Sequence, residues 1–287
     1  MKNFLKKTKI KTFIKITRLN NLCGFFLLLC PTFWSLWIST NGETTFKKAI
    51  TFFFGCFFIR TAGCIINDII DHQIDKNIHR TKNRPLPKNQ ISLKKAFFIF
   101  LIFIFLSFSI VLFFNKKVLY LSILVLILIC IYPKLKLYSH FPQIFLGITF
   151  SFSILIVYAA IKNCFPITCW LLFIANTAWT ISYDTQYALL DFNDDIRYNI
   201  KSTAVYFKNT CKKFISLLQC FMLLIFTLIG YQENLNIIFY ISLLISSFLF
   251  YIQYIWIAKN IEKNIFNAFL SNNIVGAIIF FGIFFGK

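Results

Sequence analysis

Apolar runs close to twenty residues long recur along this chain and leave it few folds to adopt. They fall at about 22–40, 49–70, 96–114, 118–132, 142–161, 165–187, 214–231, 235–258 and 265–285. A helix needs ~20 apolar residues to cross the hydrocarbon of a bilayer. Only helices and closed barrels satisfy their backbone in lipid, and barrel strands would alternate polar with apolar residues. These runs do not alternate. The pattern predicts an all-α polytopic membrane protein with nine transmembrane helices.

The basic residues orient it. The chain carries 30 Lys+Arg and a net charge of +20. Of these cations, 23 fall in segments 1–20, 71–95, 133–141, 188–213 and 259–264, all on one side of the nine spans. Six lie on the other side: Lys47, Lys48, Lys116, Lys117, Lys162 and Lys287. Arg60 stands inside a span. The positive-inside rule then makes the N-terminus cytoplasmic and the C-terminus not. The charge reads as topology, because nucleic-acid binding would concentrate it on one folded face. No nucleic-acid partner and no obligate protein partner is expected.

The tail 1–20 reads as a basic cytoplasmic or interfacial segment, with Phe4, Leu5, Phe13 and Ile16 dipping into lipid. The nine Cys show no C-x-x-C spacing and read as small apolar packers. Lys outnumbers Arg 25 to 5, which points to an A+T-rich, reduced bacterial genome. Each Arg therefore stands where Lys would have been the easy choice. His72, His79 and His140 read as loop residues.

Acids are scarce and clustered. Seven of the ten are Asp68, Asp71 and Asp75, then Asp184, Asp191, Asp194 and Asp195. A carboxylate near lipid is costly unless it is paired or holds a cation. At about 100° per residue, Asn67, Asp68, Asp71 and Asp75 share one helical face. Asp184, Asp191 and Asp195 also align if their helix runs on, with Asp194 off to the side. Both clusters end spans on the cytoplasmic face.

Oxygen ligands without His or Cys suit Mg²⁺, which keeps waters and completes its shell with substrate phosphate. Two such clusters would hold metal ions bridging a diphosphate. Arg80 and Arg84 follow the first cluster, and Arg197 and Lys201 follow the second. Guanidinium grips phosphate bidentately, which favours Arg over Lys there. Two solvated acidic helix ends would explain neither the matched pair nor the arginines beside it.

Asn67-Asp68-x-x-Asp71-x-x-x-Asp75 and Asp184-x-x-Tyr187-Ala188-x-x-Asp191-x-x-Asp194-Asp195 resemble the paired motifs of the UbiA superfamily of intramembrane aromatic prenyltransferases. Arg80-Thr81-Lys82-Asn83-Arg84-Pro85-Leu86 and Lys201-Ser202-Thr203-Ala204 resemble further signatures, and Gly24 to Trp37 resembles a first span. The resemblance covers essentially the whole chain. It implies one domain over 1–287, nine helices around a central cavity, and cytoplasmic caps at 71–95 and 188–213. The implied reaction moves a polyprenyl group from its diphosphate to 4-hydroxybenzoate, ortho to the hydroxyl, in ubiquinone biosynthesis. The implied place is the bacterial inner membrane.

On that reading Asn67, Asp71 and Asp75 hold one Mg²⁺ and Asp191 and Asp195 the other, with Asp68 and Asp184 in support. Arg80, Arg84 and Lys201 hold the diphosphate. Asp191 assists the phenol or the cation. Arg18 takes the benzoate carboxylate, and Tyr187 lies against the aromatic substrate. Three positions depart from the family pattern: Asn199 replaces Gly, Asn21-Leu22 replaces Lys-Pro, and Leu137 replaces Arg, with Lys134 or Lys136 nearby as substitutes. The competing readings are a menaquinone-precursor or haem O prenyltransferase and, from another class, a cation transporter. A transporter would place its ionisable residues near the bilayer midplane and has no use for Arg80 and Arg84.

Overall fold

The computed structural model of the chain describes residues 2–287, with side chains from residue 9 onward. The described residues are helical throughout, with no strand. The long helices are α2 (Cys23–Ser39), α3 (Phe46–Asp71), α4 (Leu93–Val111), α5 (Lys116–Leu135), α6 (Pro142–Ile161), α7 (Ile167–Ala188), α10 (Cys211–Gln232), α11 (Ile237–Ala258) and α12 (Glu262–Gly286). Short helices α8 (Phe192–Arg197) and α9 (Thr203–Phe207) lie between α7 and α10, and α1 (Lys2–Ile16) precedes them all.

Seven of the described helical segments are long and apolar enough to cross a membrane: α3, α4, α5, α6, Thr203–Gln232, α11 and α12. The two other apolar runs of the sequence fold as α2 and α7. Helix α2 is 17 residues long. Helix α7 is polar for a reason of packing. Its Asn176, Thr180, Ser182, Thr185 and Gln186 are buried against other helices rather than turned to lipid.

Helix ends follow local chemistry. Ser92 and Asn115 cap α4 and α5, accepting from Lys95 N at 3.4 Å and Val118 N at 3.1 Å. Left-handed backbone falls mostly to asparagine. Asn41, Asn89, Asn163, Asn199, Asn234 and Asn260 all have φ of 51–54°. Asn is the side chain that visits this region most readily after Gly. Asn199, at φ 53°, thus makes a left-handed turn of the kind a glycine would make.

One core joins α2, α6, α7, α10 and α12 around Trp34 and Trp179, whose rings are 5.1 Å apart. Trp34 Nε1 donates to Gly276 O at 3.0 Å. A second core fills the angle of α3, α4 and α5. Ile16 of α1 is fully buried in it, so this residue docks on protein rather than in lipid as expected. Ile10 and Phe13 do face outward, and the Phe4 and Leu5 side chains lie outside the described residues. Large apolar side chains also cover the outer surface of α4, α10 and α11, which is what a lipid environment requires. All nine cysteines are free.

Candidate active site

The first acidic motif is built from a helix end and the turn after it. Helix α3 ends at Asp71, and a 3-10 turn over Ile74–Lys76 carries Asp75. The single continuous face expected from the sequence is therefore broken after Asp71. Arg84 reaches back instead and joins the two ends of the motif. Its Nη1 lies 2.8 Å from Asp75 Oδ2 and 3.1 Å from Asp68 Oδ1. An ion pair between distant residues replaces the helical repeat, and helix termini tighten readily in this way. Arg18 Nη2 donates to the same Asp68 oxygen at 2.7 Å. Lys136 Nζ pairs with Asp71 Oδ2 at 2.6 Å. The Tyr132 hydroxyl donates to Asn67 Oδ1 at 3.1 Å.

The second motif breaks likewise. Helix α7 ends at Ala188, Leu189–Asp191 form a 3-10 turn, and α8 carries Asp194 and Asp195. Asp191 turns toward the loop of the first motif. Arg80 Nε donates to its Oδ1 at 2.9 Å, and Arg80 Nη2 donates to its Oδ2. Arg80 Nη1 also donates to the Tyr187 hydroxyl, and the guanidinium carbon lies 4.3 Å from the centre of that ring. Farther out, His79 N donates to Asp194 Oδ2 at 2.8 Å. Asp195 is buried and accepts from Ser202 Oγ at 3.1 Å. Burial, reinforced by the Asp191 charge, pushes its carboxyl up to about 7.

A polar cavity of about 270 Å³ brings the motifs together. Asn67, Asp68 and Arg84 line it with Asp184 and Tyr187. A second cavity of about 150 Å³ is mostly apolar and lies among α2–α6. Arg60, Tyr132, Leu146 and Phe150 belong to both walls, so the two spaces meet there. Thr51 marks the far end of the apolar cavity along α3, about 14 Å from Arg60 at 1.5 Å rise per residue.

Three predicted residues sit elsewhere than expected. Lys201 Nζ donates to Tyr138 O at 3.0 Å rather than to a carboxylate, and its backbone N donates to Lys136 O at 2.8 Å. It holds the loop that presents Lys136. Arg197 lies 5.5 Å over the Tyr198 ring. Arg18 is bound to Asp68 instead of standing free for a carboxylate. Sequence reasoning missed Tyr132, which carries no pattern of its own. It also left Arg60 without a partner. In the structure Arg60 Nε donates to Gly24 O at 3.1 Å and Nη1 contacts Cys64 Sγ at 2.9 Å.

Among the described residues no three acids, His or Cys converge into a ready cation cage. The donor set nevertheless fits Mg²⁺, which takes one or two carboxylates and fills its shell with water and phosphate oxygens. Asp68 Oδ2 and Asp71 Oδ1 are buried with no hydrogen-bond partner in the protein. Unpaired carboxylate oxygens in such a place are costly and suit a cation.

The site thus defines a class: a helical membrane protein with a cavity of carboxylates and guanidiniums opening onto an apolar one. That shape suits a ligand with a polyanionic head and a hydrocarbon tail. The chain belongs to the UbiA prenyltransferase family, whose model matches residues 28–274. It is 42% identical to a 4-hydroxybenzoate octaprenyltransferase of Yersinia pseudotuberculosis serotype IB (strain PB1/+), over 99% of this chain and 98% of that one. It is 46% identical to the protein of that name from Blochmanniella pennsylvanica (strain BPEN), over 94% and 93%. Its fold matches a UbiA homologue from Aeropyrum pernix K1 with a TM-score of 0.80 at 22% identity, covering 91% of this chain and 96% of that one. A UbiA homologue from Archaeoglobus fulgidus bound to GPP and Mg²⁺ matches with a TM-score of 0.67 at 15% identity, over 95% and 98%.

Proposed function

We propose that this protein joins a polyprenyl group to 4-hydroxybenzoate at the carbon ortho to the hydroxyl, releasing diphosphate, as a step of ubiquinone biosynthesis. The observation that carries the reading is the grip of Arg80, from the first motif's loop, on Asp191 of the second. It ties the loop of the first acidic motif to the second, beside the polar cavity that Asp68, Arg84, Asp184 and Tyr187 line. The names of the relatives point to the same acceptor and to a long prenyl donor.

Mg²⁺, when bound, supplies Lewis-acid stabilisation of the charge that develops on the departing diphosphate. Asn67, Asp71 and Asp75 on one side and Asp191 and Asp195 on the other are the groups to hold it, with Asp68 and Asp184 in support. Arg80 and Arg84 offer planar forks to the diphosphate oxygens and stand at the acids beforehand, so little reorganisation is needed. Lys136 adds a third cation at Asp71. The prenyl tail lies in the apolar cavity and passes into lipid beyond it.

As the allylic C–O bond breaks, its electron pair leaves with the diphosphate. The ring carbon ortho to the phenol then bonds the allylic carbon and gives up its proton to the released diphosphate, which restores the aromatic ring. Asp191 draws the phenol proton as the bond forms, which raises electron density in the ring, and returns it once the ring is aromatic again. Tyr187 bounds the acceptor. Arg60, at the junction of the cavities and without a carboxylate partner among the described residues, is better placed than Arg18 to hold the benzoate carboxylate.

The topology that goes with this reading adds α2 and α7 to the seven spans, one domain over 1–287. Both motifs and the N-terminus then lie on the cytoplasmic face of a bacterial inner membrane. The test is acceptor choice. Membranes carrying the protein should convert labelled 4-hydroxybenzoate and a polyprenyl diphosphate to a lipid-soluble product. Prenylation of 1,4-dihydroxy-2-naphthoate or haem, with 4-hydroxybenzoate untouched, would overturn the assignment.

A further inference from the structure

Arg60 is held from three sides in the membrane interior. Its Nε donates to Gly24 O at 3.1 Å, its Nη1 contacts Cys64 Sγ at 2.9 Å, and its guanidinium carbon lies 5.6 Å from the centre of the Phe150 ring. The guanidinium fills the space beside Gly24, in the first turn of α2. A Cβ added there would meet Nη2 at 2.3 Å, Nε at 2.9 Å and the guanidinium carbon at 3.0 Å. All three are atoms of one group. No alanine fits beside Arg60 in this position.

Glycine is the weaker choice for the helix, because alanine is the better helix former by ~1 kcal/mol in a helix interior. Its φ is not among the positive values, so the backbone does not require it either. What the missing side chain provides is the seat of the guanidinium.

We propose that Gly24 is a positioning residue for the aromatic acceptor. It leaves the space in which Arg60 lies against the α2 backbone, at the junction of the two cavities, where the acceptor carboxylate binds. This rests on the functional reading above, in which Arg60 takes that carboxylate. The atoms a new Cβ would strike are the far end of a flexible side chain. Gly24→Ala therefore displaces Arg60 and leaves the fold in place.

The experiment measures KM for 4-hydroxybenzoate and for the prenyl diphosphate in lipid nanodiscs, with equilibrium binding of labelled 4-hydroxybenzoate read alongside. The proteins are wild type, Gly24→Ala, Arg60→Lys and the double variant. Gly24→Ala should raise the acceptor KM and dissociation constant at least tenfold, with the KM for prenyl diphosphate within twofold of wild type. Added to Arg60→Lys, which lacks the fork that collides, it should change the acceptor KM less than twofold. An unchanged acceptor KM in Gly24→Ala, or an equal effect in both backgrounds, overturns the proposal while the functional reading stands. A wild-type protein that neither binds nor prenylates 4-hydroxybenzoate overturns both.

Discussion

Arg80 and Asp191 are 111 residues apart in sequence, yet one guanidinium engages both oxygens of the carboxylate. The pair joins the loop after the first acidic motif to the turn that carries the second. Tyr187 completes it, with its ring under the guanidinium and its hydroxyl on Nη1. The two acidic motifs are thereby held side by side, with Tyr187 on the wall of the polar cavity.

Loss of that fork should be severe. Arg80→Ala is expected to lower kcat/KM by two to three powers of ten, about 3–4 kcal/mol of transition-state stabilisation. Arg80→Lys should recover only a small part, because an ammonium cannot bind a carboxylate or diphosphate bidentately. Steady-state assays in membranes read both. A lysine variant near wild type would show that the fork geometry is unimportant.

Metal affinity should depend on pH through Asp195. Its carboxyl is pushed up from 3.8 to about 7, first by burial and then by Asp191. Below that value the group is protonated and neutral in the folded protein; above it, it is ionised and able to bind a cation. The sign is therefore fixed: apparent Mg²⁺ affinity rises as pH increases from about 6 to 8, by up to about tenfold per unit on the acid side for a single proton. Asp195→Asn should bind more weakly and lose that slope. Mg²⁺ titrations of prenyl transfer at several pH values check it, and an unchanged slope in the variant would count against Asp195 as a ligand.

The apolar cavity gives a separate test. Gly55 lines it, and a Cβ there would meet no atom within 4 Å. Gly55→Phe should fold normally and fill the space. Use of long polyprenyl diphosphates should fall about tenfold or more, with geranyl diphosphate little affected. Donor competition measures the ratio. Equal losses for both donors would move the tail elsewhere.

Stability in the second half of the bundle should rest on a buried amide network. Gln253 Oε1 accepts from Gln186 Nε2 at 2.9 Å and Gln219 Nε2 at 2.7 Å, and Gln253 Nε2 donates to Ser271 Oγ at 2.9 Å. Gln186 Oε1 in turn accepts from Asn272 Nδ2 at 2.8 Å. Gln253→Leu strands two amide donors and should cost about 1–3 kcal/mol, seen as a lower unfolding temperature in detergent. Adding Gln219→Leu to Gln253→Leu removes one of the stranded donors and should recover part of the loss, and a further additive loss would refute the network's role.

Much of this was legible in the residues alone. The apolar runs gave the helices, and scarce acids beside scarce arginines pointed to the candidate site that the fold assembles in part. The failures have physical causes. Periodicity assumed helices running through Asp75 and Asp195, whereas Arg84 and Arg80 draw the carboxylates into tighter turns. The Lys201 side chain was assigned by its place in a motif, but the fold turns it to a carbonyl. Ile16 was read as a lipid contact because its helix is basic, and the core beside α3 takes it instead. The seat of Arg60 depends on Gly24, 36 residues away. No local pattern announces that pairing.

The most direct test of the account is binding of a non-hydrolysable prenyl thiolodiphosphate to the full chain, with and without Mg²⁺, in wild type, Asp71→Ala and Asp191→Ala. The account predicts Mg²⁺-dependent binding that is weakened at least tenfold in each variant and abolished by EDTA, because both clusters must hold the same metal–diphosphate unit. Binding indifferent to Mg²⁺, or undiminished in Asp191→Ala, would contradict it.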